Sequence, residues 1–176
     1  PGLDLPPGGV PPVKYLERNR LPALLDALAQ AYEVFAPVKV GEHVVLRRHV
    51  PGAGGEVVWN DYRLAESLKP LWFQTGKVLS RWTKQGPAPG PEPHPRAIVG
   101  AKACDLKAVA VLDRVFRDHA FKEPAWCAAR EKNLVVAGDC TACAASCFCT
   151  MVGDKPWPET LYDLLLSPVE GGFLVE

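Results

Sequence analysis

An α/β fold is predicted: a small mixed sheet with flanking helices and a cysteine-rich loop at the carboxyl edge of the strands. Three observations predict it. Residues 97–101 and 133–138 are short apolar runs with the composition of buried strands, and a segment of helical spacing lies between them. Leu21, Leu24, Leu25, Leu28 and Tyr32 recur at helical intervals, the stripe of an amphipathic helix. Four of the six cysteines, Cys140, Cys143, Cys147 and Cys149, follow directly after the second run, spaced C-x2-C-x3-C-x-C.

The chain of 176 residues is long enough for one domain with a sizeable core. Residues 1–12 hold five prolines and three glycines and are expected to be a flexible arm. The remainder, 13–176, reads as a single α/β domain, with two lobes (13–85 and 96–176) as the other option. Asn19 is a candidate helix cap, and Pro22 is tolerated in a first turn. The helix should end near Tyr32, because Pro37 forbids continuation and Val34 to Val38 reads as extended. Val44-Val45-Leu46 reads as a strand, and Val57-Val58-Trp59 as its hairpin partner across the loop at 51–55. Gly76 to Trp82 is a candidate short helix. Residues 86–95 carry five prolines and read as a loop joining the two parts.

Strand 97–101 is followed by Asp105 as a candidate cap, then Leu106, Val109, Ala110, Leu112, Val115 and Phe116 as a broad apolar face. Residues 124–132 suit a further helical turn or two. Strand, helix and strand in this order favour a parallel crossover, whose ligand edge lies at the carboxyl ends of the strands. Cys104 lies just past one such end and Cys140 just past the other. Tyr162 to Leu166 and Phe173 to Val175 suggest a terminal hairpin around a turn at 168–172.

Composition excludes several function classes. Twenty basic and twenty acidic residues give zero formal charge, with no basic excess for nucleic acid. No apolar run reaches membrane-spanning length and no signal peptide is visible. The chain begins at Pro1 and its only methionine is Met151, so it is read as a processed or cut chain in a cytoplasmic setting. Paired carboxylates, a Ser-His-Asp arrangement and a phosphate loop are all missing, so independent catalysis is not expected. His43 and His49 read as ordinary surface or strand histidines.

Densely packed thiols suit soft-metal ligation. A disulfide framework is disfavoured, because the first 103 residues contain no cysteine. Zinc fingers use two C-x2-4-C pairs separated by a longer spacer, and only one such pair is present. An iron–sulfur site is therefore favoured, with zinc as the alternative. Local spacing nominates Cys140, Cys143, Cys147 and Cys149, and the strand-edge placement adds Cys104. Spacing alone leaves that choice open. Cys127 reads as a buried structural thiol. Lys102 and Arg130 read as solvated surface charges, although a cation beside a cluster would raise its potential. Phe148 suits either a shield against water or ordinary core.

The segment Gly100-Ala101-Lys102-Ala103-Cys104-Asp105 resembles a Gly-Arg-x-Cys-Asp element. Arg130-Glu131 resembles an Arg-Glu element, Cys147-Phe148-Cys149-Thr150 a Cys-Phe-Cys-Thr turn, and Tyr162-Asp163-Leu164 a short element after it. Tyr15-Leu16, Tyr32 to Lys39 and Lys69-Pro70 fit the same pattern upstream. Together they resemble the family that holds the beta subunit of cytoplasmic nickel–iron hydrogenase/sulfhydrogenase and the A-type subunit of anaerobic sulfite reductase. The resemblance implies an electron-transfer subunit with one [4Fe–4S] cluster. It would relay electrons between a flavin- and NAD(P)H-binding subunit and a catalytic subunit. It points to Cys104, Cys140, Cys147 and Cys149 as ligands, with Cys143 as an alternative. Lys102 stands where the pattern has arginine, keeping the charge but losing the bidentate fork. The family's C-terminal ferredoxin-like region, with two further four-cysteine sets, is absent from this chain. The competing expectation is a structural zinc or metal-free domain that docks a partner subunit.

Overall fold

The computed structural model describes residues 13–52, 57–59, 64–73, 78, 80–90 and 94–176. The arm at 1–12, part of the loop at 51–55, part of the candidate helix at 76–82 and positions 91–93 lie outside the described residues.

The chain opens with strand β1 (Lys14–Glu17), a 3-10 turn (Arg18–Arg20) and helix α1 (Leu21–Leu28). Arg20, not Asn19, occupies the N-cap, and no side chain caps the helix. The helix stops a turn before Tyr32. Its end tightens into three-residue bonds, Gln30 N–H to the Ala27 oxygen and Ala31 N–H to the Leu28 oxygen, before Glu33 enters the sheet. Strands β2 (Glu33–Val40) and β3 (His43–Arg48) form a hairpin closed by Gly41 at φ +61°. This local closure takes the partner place expected for residues 57–59. Val57 instead makes an isolated antiparallel bridge to Val38, and Val58 N–H bonds the Pro37 oxygen at 2.9 Å.

Strands β4 (Ser80–Thr83) and β5 (Gly86–Pro89) form a separate two-stranded sheet. Trp82 therefore lies in a strand rather than a helix, and the proline-rich segment begins as a strand rather than a loop. Thr83 Oγ1 fixes this turn by donating to the Gly86 oxygen at 2.8 Å.

After these come β6 (Arg96–Ala101), α2 (Ala103–Phe116), α3 (Pro124–Lys132), β7 (Leu134–Gly138), β8 (Leu164–Val169) and β9 (Gly172–Val175). The main sheet has seven strands in the order β1-β9-β8-β7-β6-β2-β3. Its centre, β2 to β8, is parallel and its edges are antiparallel. Strands from both sides of the 86–95 segment thus share one sheet. The terminal hairpin is present, but Pro168 belongs to β8 and the turn falls at Glu170 and Gly171.

Alternate residues of the central strands face opposite sides, so the sheet separates two cores. Ile98, Val135 and Leu165 pack with Leu106 and Val109 of α2 and Trp126 of α3. Ala97, Val99, Val136 and Leu166 pack with Leu21 and Leu25 of α1 and with Trp59 and Phe173. Gly100, at φ +83°, makes a bulge in β6: Val99 pairs with Val136, and Ala101 with Ala137. The extra residue turns Ala101 onto the face of Ile98 and sets the direction in which the chain leaves for α2.

Candidate metal centre

β6 and β7 are adjacent and parallel, so the residues that follow them emerge at one edge of the sheet. Cys104 lies in the first turn of α2, and Cys140 follows Asp139 beyond β7. Asp105 is the third residue of α2 rather than its cap, and its Oδ2 accepts from the Lys102 main-chain N–H at 3.1 Å. A cleft of about 620 Å³ at this edge is lined by Cys104, Cys140, Cys143, Cys147 and Cys149, together with Lys102, Asp105 and Asp154. Leu64 to Ser67 form part of its wall. They are held there by Ala65 N–H bonding the Val44 oxygen at 2.9 Å.

The 140–149 segment is anchored by its main chain. Cys140 N–H donates to the Pro156 oxygen at 2.8 Å, and Asp154 N–H to the Cys149 oxygen at 2.9 Å. Lys107 of α2 pairs with Asp154 at 2.8 Å, fastening the far end of the loop to the helix that carries Cys104. Two sulfurs make local bonds: the Cys140 thiol donates to the Ala142 oxygen at 3.0 Å, and Ala144 N–H donates to Cys147 Sγ at 3.3 Å. All six cysteines are free thiols. The five candidate ligands share one cleft, but among the described residues no three Cys, His, Asp or Glu side chains are gathered as a metal-holding group.

Electrostatics at the edge favour the neutral form of Cys104 and Cys140. The Cys104 side chain reaches the surface, yet its sulfur is desolvated enough, with the Asp105 carboxylate adding to the effect, to push the thiol up to about 11. Burial also raises the Cys140 thiol, against the pull of the Lys102 ammonium. Burial lowers Lys102, opposed by Cys140 and then by Asp139. Tyr162 is raised by desolvation, then by Glu176 and Asp139.

Lys102 and Arg130 are not solvated charges. Lys102 is 6% exposed and its Nζ donates to the Asp139 main-chain oxygen at 2.8 Å. Arg130 lies against Asp113, away from the cleft lining. The sequence signal for Lys102 was its position: it follows a run of five buried residues with no polar residue between. Cys127 is only half-buried, with its sulfur 3.9 Å from the Phe116 oxygen. Phe148 is 62% exposed, so it belongs to no core. His49 bonds Asp26 of α1 at 2.7 Å and does not line the cysteine cleft. Among the described residues no helix is long and apolar enough to cross a membrane.

Comparison with protein-family models, with curated proteins and with solved structures finds no match to this chain.

Proposed function

We propose that this chain is an iron–sulfur electron-transfer domain of a multisubunit oxidoreductase. The observation that carries the proposal is the shared cleft: thiols just beyond the ends of two adjacent parallel strands open onto the same space as Cys147 and Cys149. The donor chemistry fits a [4Fe–4S] cluster, which takes thiolates from separated segments and is tuned by peptide N–H groups aimed at sulfur. Cys104, Cys140, Cys147 and Cys149 would hold it, with Cys143 as the alternative ligand. Such a cluster supplies one-electron reduction and oxidation when bound. For ligation, the Cys140 thiol gives up its proton and its bond to the Ala142 oxygen. Ala144 N–H is already directed at the Cys147 sulfur. The Lys102 ammonium offsets part of the negative charge that the thiolates bring.

The sequence resemblance supports a relay between a flavin- and NAD(P)H-binding subunit and a catalytic subunit, of the hydrogenase or sulfite reductase type, in the cytoplasm. Phe148, Met151 and Val152 are exposed beside the cleft and suit contact with such a subunit. That apolar surface equally suits a zinc-holding or metal-free docking domain, the competing reading.

The test is the iron, sulfide and zinc content of anaerobically prepared protein, with an EPR spectrum after dithionite reduction. About four irons per chain with a reduced-cluster signal is expected. Replacing Cys143 and Cys104 by serine in turn identifies the fourth ligand. One zinc and no iron after anaerobic reconstitution would leave the docking domain.

A further inference from the structure

Lys102 stands between the end of β6 and the first turn of α2. Its main-chain N–H holds Asp105 Oδ2 at 3.1 Å, and its buried Nζ holds the Asp139 oxygen at 2.8 Å. One residue is therefore fastened both to the helix turn that carries Cys104 and to the exit of β7 that leads into Cys140. A neutral donor would serve for a plain tie between strand ends. Burying an ammonium is costly unless acceptors and negative charge surround it. Here the surroundings are the Asp139 oxygen, the Asp105 and Asp139 carboxylates and the sulfurs of Cys140 and Cys104.

We infer that Lys102 is a positioning residue for the thiol site: it clamps the Cys104 segment to the Cys140 segment and holds a buried positive charge beside the sulfurs of Cys104 and Cys140. Positive charge stabilises the more negative, reduced form of whatever cluster they hold, and so raises its midpoint potential. The effect on potential rests on the electron-transfer reading above; the clamp does not.

The experiment has two arms on the full 176-residue chain. In the metal-free protein, hydrogen–deuterium exchange is compared between the parent and Lys102→Met. Faster exchange confined to 139–149 and the first turn of α2 is expected, with Lys102→Arg restoring protection. Unchanged exchange, or acceleration spread equally over β6, β7 and β8, overturns the clamp. In protein reconstituted anaerobically with iron and sulfide, the midpoint potential of Lys102→Gln is expected to move negative, and that of Lys102→Arg to stay near the parent's. An unmoved potential in Lys102→Gln overturns the charge role. A parent chain that takes up no iron or sulfide overturns the electron-transfer reading and the charge role with it, while the exchange arm still decides the clamp.

Discussion

Arg130 of α3 grips Asp113 of α2 through Nε, at 3.1 Å from Oδ1 and 3.2 Å from Oδ2, and through Nη2, at 3.2 Å from Oδ2. Both side chains are largely buried, and Trp126 Nε1 adds a third donor to Asp113 at 2.7 Å. Arg130 also lies over the Trp72 ring. Removing one partner leaves the other charge buried and unpaired. Asp113→Ala is expected to cost about 3–5 kcal/mol of stability in urea unfolding. Adding Arg130→Met should recover part of that loss, because it removes the orphaned charge. A double variant less stable than the single would show that the guanidinium contributes mainly through packing.

Gly100 carries the bulge that turns the chain toward Lys102 and Cys104, at a φ of +83°. A side chain there strains the backbone whatever space surrounds it. Gly100→Ala is expected to lower stability by about 1–2 kcal/mol, read from the urea midpoint at unchanged slope. If β6 instead abandons the bulge, Ala101 changes face, and the loss should exceed that range through the core it leaves.

The Cys104 thiol sets a pH dependence. Its value rises from 9.0 in an unfolded chain to about 11 in the fold. Between these two pH values the folded state binds more protons, so metal-free stability should fall as pH rises from 9 through 11. Cys104→Ser should flatten that part of the curve. At pH 8, alkylation of Cys104 by iodoacetamide should be about tenfold slower than for a free cysteine. The smaller thiolate fraction is partly offset by a more nucleophilic sulfur. Mass-spectrometric mapping of the modified site gives the rate.

Soft-metal uptake follows from the same protonation. At the proposed site, ligation would displace the thiol protons of Cys104 and Cys140, both held more tightly than in a free chain. Apparent affinity for iron and sulfide, or for zinc, should therefore rise with pH from 6 to 8. An affinity independent of pH over that range would show that these two thiols are not ligands.

Lys107 and Asp154 test the far end of the loop. Their ion pair is 2.8 Å long, with the lysine mostly solvated. Lys107→Ala should change global stability by less than about 1 kcal/mol. Amide exchange at 149–154 should nonetheless accelerate, since Asp154 N–H holds the Cys149 oxygen.

Much of the frame follows from the sequence because it depends on local pattern. The apolar runs of β6 and β7 are short and bounded by polar or turn residues, as buried strands are, while the stripe of α1 and the face of α2 repeat at the helical period. The order strand, helix, strand then brings Cys104 and Cys140 to adjacent strand ends. What depended on competition between distant partners was decided only in three dimensions. Val57 lost β3 to β2 because Gly41 closes the nearer hairpin, and Gly86 to Pro89 found a partner strand in Ser80 to Thr83. Lys102 and Arg130 look alike as charges in sequence. Burial separates them: one reaches the Asp139 oxygen at the cysteine edge, the other Asp113 between two helices. Only tertiary packing sets the water left around a side chain, and that water decides whether a charge is a surface group or part of a site.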